Sequence, residues 1–231
     1  MSAERERALN ASGEITGWLT RDEAGLLYDA AAAAPAGEAV VEIGSFAGKS
    51  TVALALGSHG GMKARVYAVD PHTGSSETAA VTGFLDTYEL CLANLKKHAA
   101  ADRVDVIRDF SVSAAARFRA PVAFLFIDGA HGYRQVRDDF ESWFPKVVEG
   151  GSIAFHDSWL FPFPGPCLLS ARALLLSGRV RRPRLVDTMT VFQKTARATP
   201  RERAENARFV AWRMIAGFAG TNRLGAAAKS P

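Results

Sequence analysis

The sequence predicts an α/β fold with a doubly wound, mostly parallel sheet and helices on both faces. Three observations carry this. The apolar run Ala39–Ile43 enters a glycine turn, Gly44 to Gly48, and continues into a helix-compatible segment with Ser50 and Thr51 near its start. Strand-length apolar runs then alternate with stretches of helical spacing. The run PVAFLFID is apolar over almost its whole length, as expected of a central parallel strand covered on both faces.

The elements follow in order. Residues 1–12 read as a polar lead-in, helical or frayed. Thr20 with Glu23 three residues later forms a capping box for a helix whose apolar face holds Ala24, Leu26, Leu27 and Ala30, and Pro35-Ala36-Gly37 stops it. Strand one is Ala39–Ile43, and its helix runs to about Leu56. Strand two, Ala64–Val69, ends at Asp70-Pro71. Residues 72–82 are small and polar and read as a mobile loop, and Phe84 to His98 has helical spacing. Val104–Ile107 is strand three, with Asp109-Phe110-Ser111 at its end. Strand four opens at Pro121 and closes at Asp128, and a helix follows from about Gln135 to Trp143. Pro145 to Gly151 turn the chain into strand five, Ser152–Phe155, which ends in His156-Asp157. A proline-rich loop (Trp159 to Pro166), an apolar helix (Cys167 to Leu176) and two strand-like runs, near Leu185 and at Thr188–Gln193, complete the core. Asn206 to Phe218 fits an amphipathic helix, and the last ten residues read as disordered. The expected organisation is one domain over 1–194, with 1–36 as a helical lid region, and a basic helix and tail over 195–231.

At 231 residues the chain can bury a full core. Its hydrophobic content of 48% and charged content of 23% argue against disorder. No apolar stretch reaches the length of a membrane span, and the charged N-terminus lacks the apolar core of a signal peptide. Cys91 and Cys167 show no metal spacing, which suits a reducing, cytoplasmic compartment. The net charge of +4 is unevenly placed: from Thr195 onward seven basic residues face two acidic ones, so the rest of the chain is close to neutral. That argues against a nucleic-acid-binding core. The tail reads as a solvated face or a dimer arm, so a homodimer is among the expectations.

Ligands of open α/β sheets bind outside the carboxyl ends of the strands. Glu42, Asp70, Asp109, Asp128 and His156-Asp157 all fall at or near such ends. The turn E-x-G-x-x-x-G is one residue short of a phosphate loop and lacks the dinucleotide fingerprint, so it suits close backbone approach to a small charged ligand. Its bland reading is a plain strand–helix turn. Asp70, at the end of strand two, stands where a carboxylate accepts hydrogen bonds from ribose hydroxyls. Phe110 could stack on a planar base or simply join the core. Asp128 and Asp157 as a pair fit an oxygen-rich Mg²⁺ or Mn²⁺ site. His131 and His156, each taken alone, are as readily cap or core residues, although His131 is well placed for a general base.

The segments VVEIGSFAGKST, YAVDPHTG and FLFIDGAHGYRQVRDDFESWFPKVVEGGSIAFHD resemble the successive motifs of class I S-adenosylmethionine-dependent methyltransferases. More narrowly they resemble divalent-metal-dependent O-methyltransferases of sugars and glycosylated natural products, over about Trp18 to Lys194. The resemblance implies a Rossmann-like seven-stranded sheet with its last strand antiparallel. It implies cofactor contacts from Glu42, Gly44, Ser45, Ser50, Asp70, Asp109, Phe110, Ser111 and Asp128. It places Asp128 and Asp157 on Mg²⁺ or Mn²⁺, with His156 as a third candidate ligand where related enzymes often have an acid, and makes His131 the base and Asp128 a catalytic residue beside it. A lid from residues 1–20 and the 72–82 loop would close the site. The implied partner is a small-molecule acceptor, a sugar or glycoside. A phenol or catechol acceptor, or a non-catalytic nucleoside- or RNA-binding protein using the basic tail, are the competing readings.

Overall fold

The structure is a computed structural model that describes residues 2–74, 83, 85–159 and 163–218. Seven strands form one sheet: β1 (Ala39–Ile43), β2 (Arg65–Val69), β3 (Val104–Ile107), β4 (Val122–Ile127), β5 (Val147–Phe155), β6 (Val180–Val186) and β7 (Met189–Lys194). Their order is β3-β2-β1-β4-β5-β7-β6. Neighbours from β3 to β5 pair in parallel, and β7 runs antiparallel to both β5 and β6. This is the expected Rossmann-like sheet. The order reverses between β1 and β4, the switch point outside which α/β sheets open a ligand crevice.

Eight α-helices are described: α1 (Ala3–Gly13), α2 (Arg21–Ala33), α3 (Lys49–Gly60), α4 (Tyr88–Lys97), α5 (Ser111–Arg117), α6 (Tyr133–Trp143), α7 (Pro164–Leu176) and α8 (Pro200–Phe218). One core face of the sheet packs Val40, Val66, Phe124 and Phe126 under α1, α2 and α3. The other packs Val41, Leu125, Ile153 and Phe192 under α6, α7 and α8. The central strands β1 and β4 are buried on both faces, which is why they read as near-continuous apolar runs.

Differences from the sequence reading have local causes. Strand β5 starts at Val147 rather than Ser152, because Gly150, at φ +80°, bends the strand without ending it. Its ladder with β4 shifts register between Val122 and Phe124. Helix α5 is short and carries no amphipathic signal. Helix α4 starts at Tyr88; Phe84, most of the 72–82 loop and the last thirteen residues lie outside the described residues. Pro183 is tolerated in β6 because that strand is at the sheet edge.

Helix α8, from the basic tail, lies on the protein and sinks Asn206, Val210 and Arg213. Asn206 Nδ2 donates to the carbonyls of Leu174 and Val180 at 3.2 and 2.8 Å. No helix among the described residues is long and apolar enough to cross a membrane.

Candidate active site

A cavity of about 700 Å³ opens at the carboxyl ends of β1, β2 and β4. Its floor is the turn after β1. Gly44 stands at φ +89°, and a Cβ there would lie 2.3 Å from the carbonyl oxygen of Asp128, so only glycine lets the ends of β1 and β4 come together. Asp70, at the end of β2, fastens this turn: its Oδ2 accepts the N–H groups of Ser45 and Phe46, each at 2.9 Å, and its Oδ1 accepts that of His72 at 2.7 Å. A carboxylate offers about four lone-pair directions, so Asp70, which lines the cavity, keeps one for a ligand hydroxyl. Ser45 is buried in the same floor, and Ser50 lines it at the start of α3.

Two expected residues stand off the cavity wall. Glu42 lies beneath the turn, fully buried, and its Oε2 accepts the Thr51 hydroxyl at 2.6 Å. Burial pushes its carboxyl up to about 8, against the opposing pull of the Ser50 and Thr51 hydroxyls. Asp109 turns outward to Arg117 and accepts the N–H of Phe110 at 2.7 Å. Phe110 and Ser111 do line the cavity. Phe110 is 64% exposed, as suits a stacking surface more than a core residue. Ser111 is fixed by Trp143, whose Nε1 donates to its Oγ at 2.9 Å.

The second wall comes from the ends of β4 and β5. Asp157 Oδ2 lies 3.3 Å from His131 Nε2 and 3.5 Å from His156 Nδ1. Asp128 Oδ1 lies 3.0 Å from His156 Nδ1, and His156 Nε2 lies 3.2 Å from Glu23 Oε2. Each nitrogen of the buried His156 ring therefore faces a carboxylate. Burial opposes a charge there, but Asp128, Asp157 and Glu23 outweigh it and hold the ring's pKa well above its usual value. Burial would raise Asp157, but hydrogen bonds from His131 and His156 take it well below the usual carboxylate range. Asp128 is raised, burial being the largest cause. Asp157 is held at φ +47°, a left-handed conformation that aspartate tolerates better than most residues.

One ligand atom each from Asp128, His131 and Asp157 lies within 4.8 Å of the others, close enough to hold a metal ion. His156, expected beside the two acids, is beside them: its Nδ1 lies near both and its Nε2 faces Glu23. His131 stacks on Phe163 with ring centroids 3.9 Å apart.

Three contributors were not visible from the sequence. Glu23 reaches the site from α2. Lys49 lines the cavity from the first residue of α3. Asp139 lines it from α6, with its carboxyl pushed up to about 6 by burial, the Ser111 hydroxyl opposing. Nothing in the run RQVRDDFES separates Asp139 from its solvated neighbours. Across the mouth, Gly17, Trp18 and Leu19 line the cavity, and Trp18 tilts against Phe46 at 5.6 Å between centroids.

A family model described as a methyltransferase domain matches residues 41–158, and the chain belongs to that family. The match ends one residue past Asp157 and so spans both walls of the cavity. Among solved structures, the chain is similar to the O-methyltransferase NovP at 15% identity and TM-score 0.62, covering 76% of this chain and 81% of that one. It is similar to TomG of Streptomyces achromogenes, an O-methyltransferase of tomaymycin synthesis in complex with S-adenosylmethionine, at 17% identity and TM-score 0.57, covering 85% and 91%. It is also similar to CalS11, a TDP-rhamnose 3′-O-methyltransferase of calicheamicin biosynthesis, at 16% identity and TM-score 0.51, covering 74% and 76%. The protein is thus a methyltransferase by family. The floor offers a ligand the open direction on Asp70 and the bare Gly44 backbone.

Proposed function

We propose that the protein transfers the methyl group of S-adenosylmethionine to a hydroxyl of a carbohydrate or glycosylated metabolite, with a divalent cation, Mg²⁺ or Mn²⁺, held by Asp128 and Asp157. The observation that carries this reading is the convergence of Asp128, His131 and Asp157 within 4.8 Å on the cavity wall. The acceptor class is supported by the likeness to an enzyme whose acceptor is TDP-rhamnose.

The cofactor supplies an electrophilic sulfonium methyl, and the cation supplies Lewis acidity toward the acceptor hydroxyl. The protein's residues do the rest. Asp70 and Ser45 bind the nucleoside and methionine ends on the floor. Phe110 and Ser111 border the base. Asp128 and Asp157 fix the oxygen side of the site, so that acceptor and cofactor share one orientation and much of the barrier reduction comes from positioning. His131 accepts the hydroxyl proton on the ring nitrogen that does not face Asp157, and Asp157, 3.3 Å from Nε2, stabilises the resulting imidazolium. Trp18, Leu19 and Phe163 exclude water from the mouth.

The test is Mn²⁺ binding, read by electron paramagnetic resonance. The wild-type protein is expected to bind the ion, and Asp128→Asn and Asp157→Asn to lose it while S-adenosylhomocysteine still binds. Equal Mn²⁺ binding by wild type and both variants would remove the metal from the proposal.

A further inference from the structure

Lys49 opens α3 and lines the cavity. Its Nζ donates to the carbonyl of Gly17 at 2.8 Å, and no carboxylate among the described residues pairs with it. An ammonium has three N–H donors, so two remain. Burial lowers the pKa of this ammonium, with no acidic neighbour to offset it. Two features favour an anion at the same place. Ser45 and Ser50, both buried, line the cavity on either side of the turn that leads to Lys49. Gly48, at φ +87°, caps the twelve-residue α3 without a capping side chain, which leaves the positive end of the helix bare toward the turn. The other walls carry Asp70, Asp128, Asp138, Asp139 and Asp157. An anionic group entering this cavity is repelled there and drawn to the Lys49 corner.

We propose that Lys49 is the counter-ion of the cofactor's α-carboxylate, and that its bond to Gly17 ties cofactor binding to the Gly17–Leu19 segment across the mouth. The inference rests on the proposed cofactor and names the residue that reads its charged end. The mechanical link is present on both sides of Lys49: its ammonium holds Gly17, and its own carbonyl accepts the hydroxyl of Ser12, in the last turn of α1, at 3.0 Å. The segment from Ser12 to Leu19 is therefore tied to the residue that would meet the carboxylate.

The test compares two ligands by titration calorimetry. S-adenosylhomocysteine carries the amino-acid end, and 5′-methylthioadenosine is the same nucleoside thioether without it. In Lys49→Met the affinity for S-adenosylhomocysteine is expected to fall about 10- to 100-fold, as for loss of a charge-assisted hydrogen bond, while that for methylthioadenosine stays within about twofold. Lys49→Arg is expected to recover most of the loss. Equal weakening of both ligands, or an unchanged affinity for S-adenosylhomocysteine, overturns the assignment. Absence of S-adenosylhomocysteine binding by the wild-type protein strikes the cofactor reading itself, and the proposal with it. Hydrogen exchange over residues 14–20 reads the link to the mouth. S-adenosylhomocysteine slows exchange there in the wild type and not in Lys49→Met; equal slowing in both overturns the link.

Discussion

Glu23 and His156 meet 3.2 Å apart across 133 residues of sequence, both almost fully buried. Glu23 closes the capping box of α2 by accepting the Thr20 N–H at 3.0 Å. Its other oxygen accepts the N–H and hydroxyl of Thr188 at 3.0 and 2.7 Å. His156 in turn presents its far nitrogen to Asp128 and Asp157. One carboxylate thus joins a helix cap, the β6–β7 turn and the acidic wall of the cavity.

Removing that carboxylate leaves a buried ring and three partly buried threonine donors without their acceptor. Glu23→Ala is expected to cost about 3–5 kcal/mol, the range for breaking a buried pair, and Glu23→Gln less, because its amide oxygen still accepts. Urea denaturation measures both. A loss within about 0.5 kcal/mol for Glu23→Ala would mean the network carries no stability.

Glu42 makes stability depend on pH. Its carboxyl is neutral in the fold up to about 8, whereas in the unfolded chain it ionises near its ordinary value. The unfolded state therefore sheds a proton first as pH rises. Glu42 contributes full stability below its unfolded pKa and loses it progressively toward pH 8. Glu42→Gln removes that slope. Its melting temperature relative to wild type is expected to rise by on the order of 5 °C from pH 5 to pH 8. A difference that does not change with pH would show that Glu42 ionises normally.

His131 separates two roles that the geometry allows. As base, its replacement by alanine lowers turnover about 10²- to 10⁴-fold and leaves Mn²⁺ affinity near that of wild type. As a ligand, it takes the metal affinity down with the turnover. The proposed function predicts the first result, read by initial rates and by electron paramagnetic resonance on the same preparations.

Gly44→Ala places a Cβ 2.3 Å from the Asp128 carbonyl oxygen and imposes φ +89° on a residue with a side chain. The ends of β1 and β4 must then separate. S-adenosylhomocysteine affinity is expected to fall at least about tenfold, with a stability loss of about 1–3 kcal/mol. Calorimetry showing wild-type affinity would contradict the close-approach role of Gly44.

The fold and half of the site were legible in the sequence. Strands one and three matched the structure to the residue; for strand one the cause is burial on both faces, which leaves a near-continuous apolar run. The Thr20–Glu23 box was legible as a local spacing, but the second function of Glu23 was not. Its partner lies 133 residues away, and no period or motif records a tertiary contact. Asp109 and Glu42 sat at the right positions along the chain. Their side chains nevertheless point away from the cavity, one outward to Arg117 and one down to Thr51. Strand alternation is interrupted at such ends, so direction could not be read there. Lys49 looked like part of a failed phosphate loop, and only its burial without a counter-ion marks it out.

The central claim is metal-assisted methylation of a sugar hydroxyl, and transfer of labelled methyl from S-adenosylmethionine tests it most directly. The chelated protein would be assayed on a panel of nucleotide sugars, glycosides and catechols, before and after Mg²⁺ or Mn²⁺ is restored. The predicted result is methylation of a sugar hydroxyl that disappears in chelator and returns with the ion. Full turnover in chelator, or methylation of catechols and of no sugar, would contradict it.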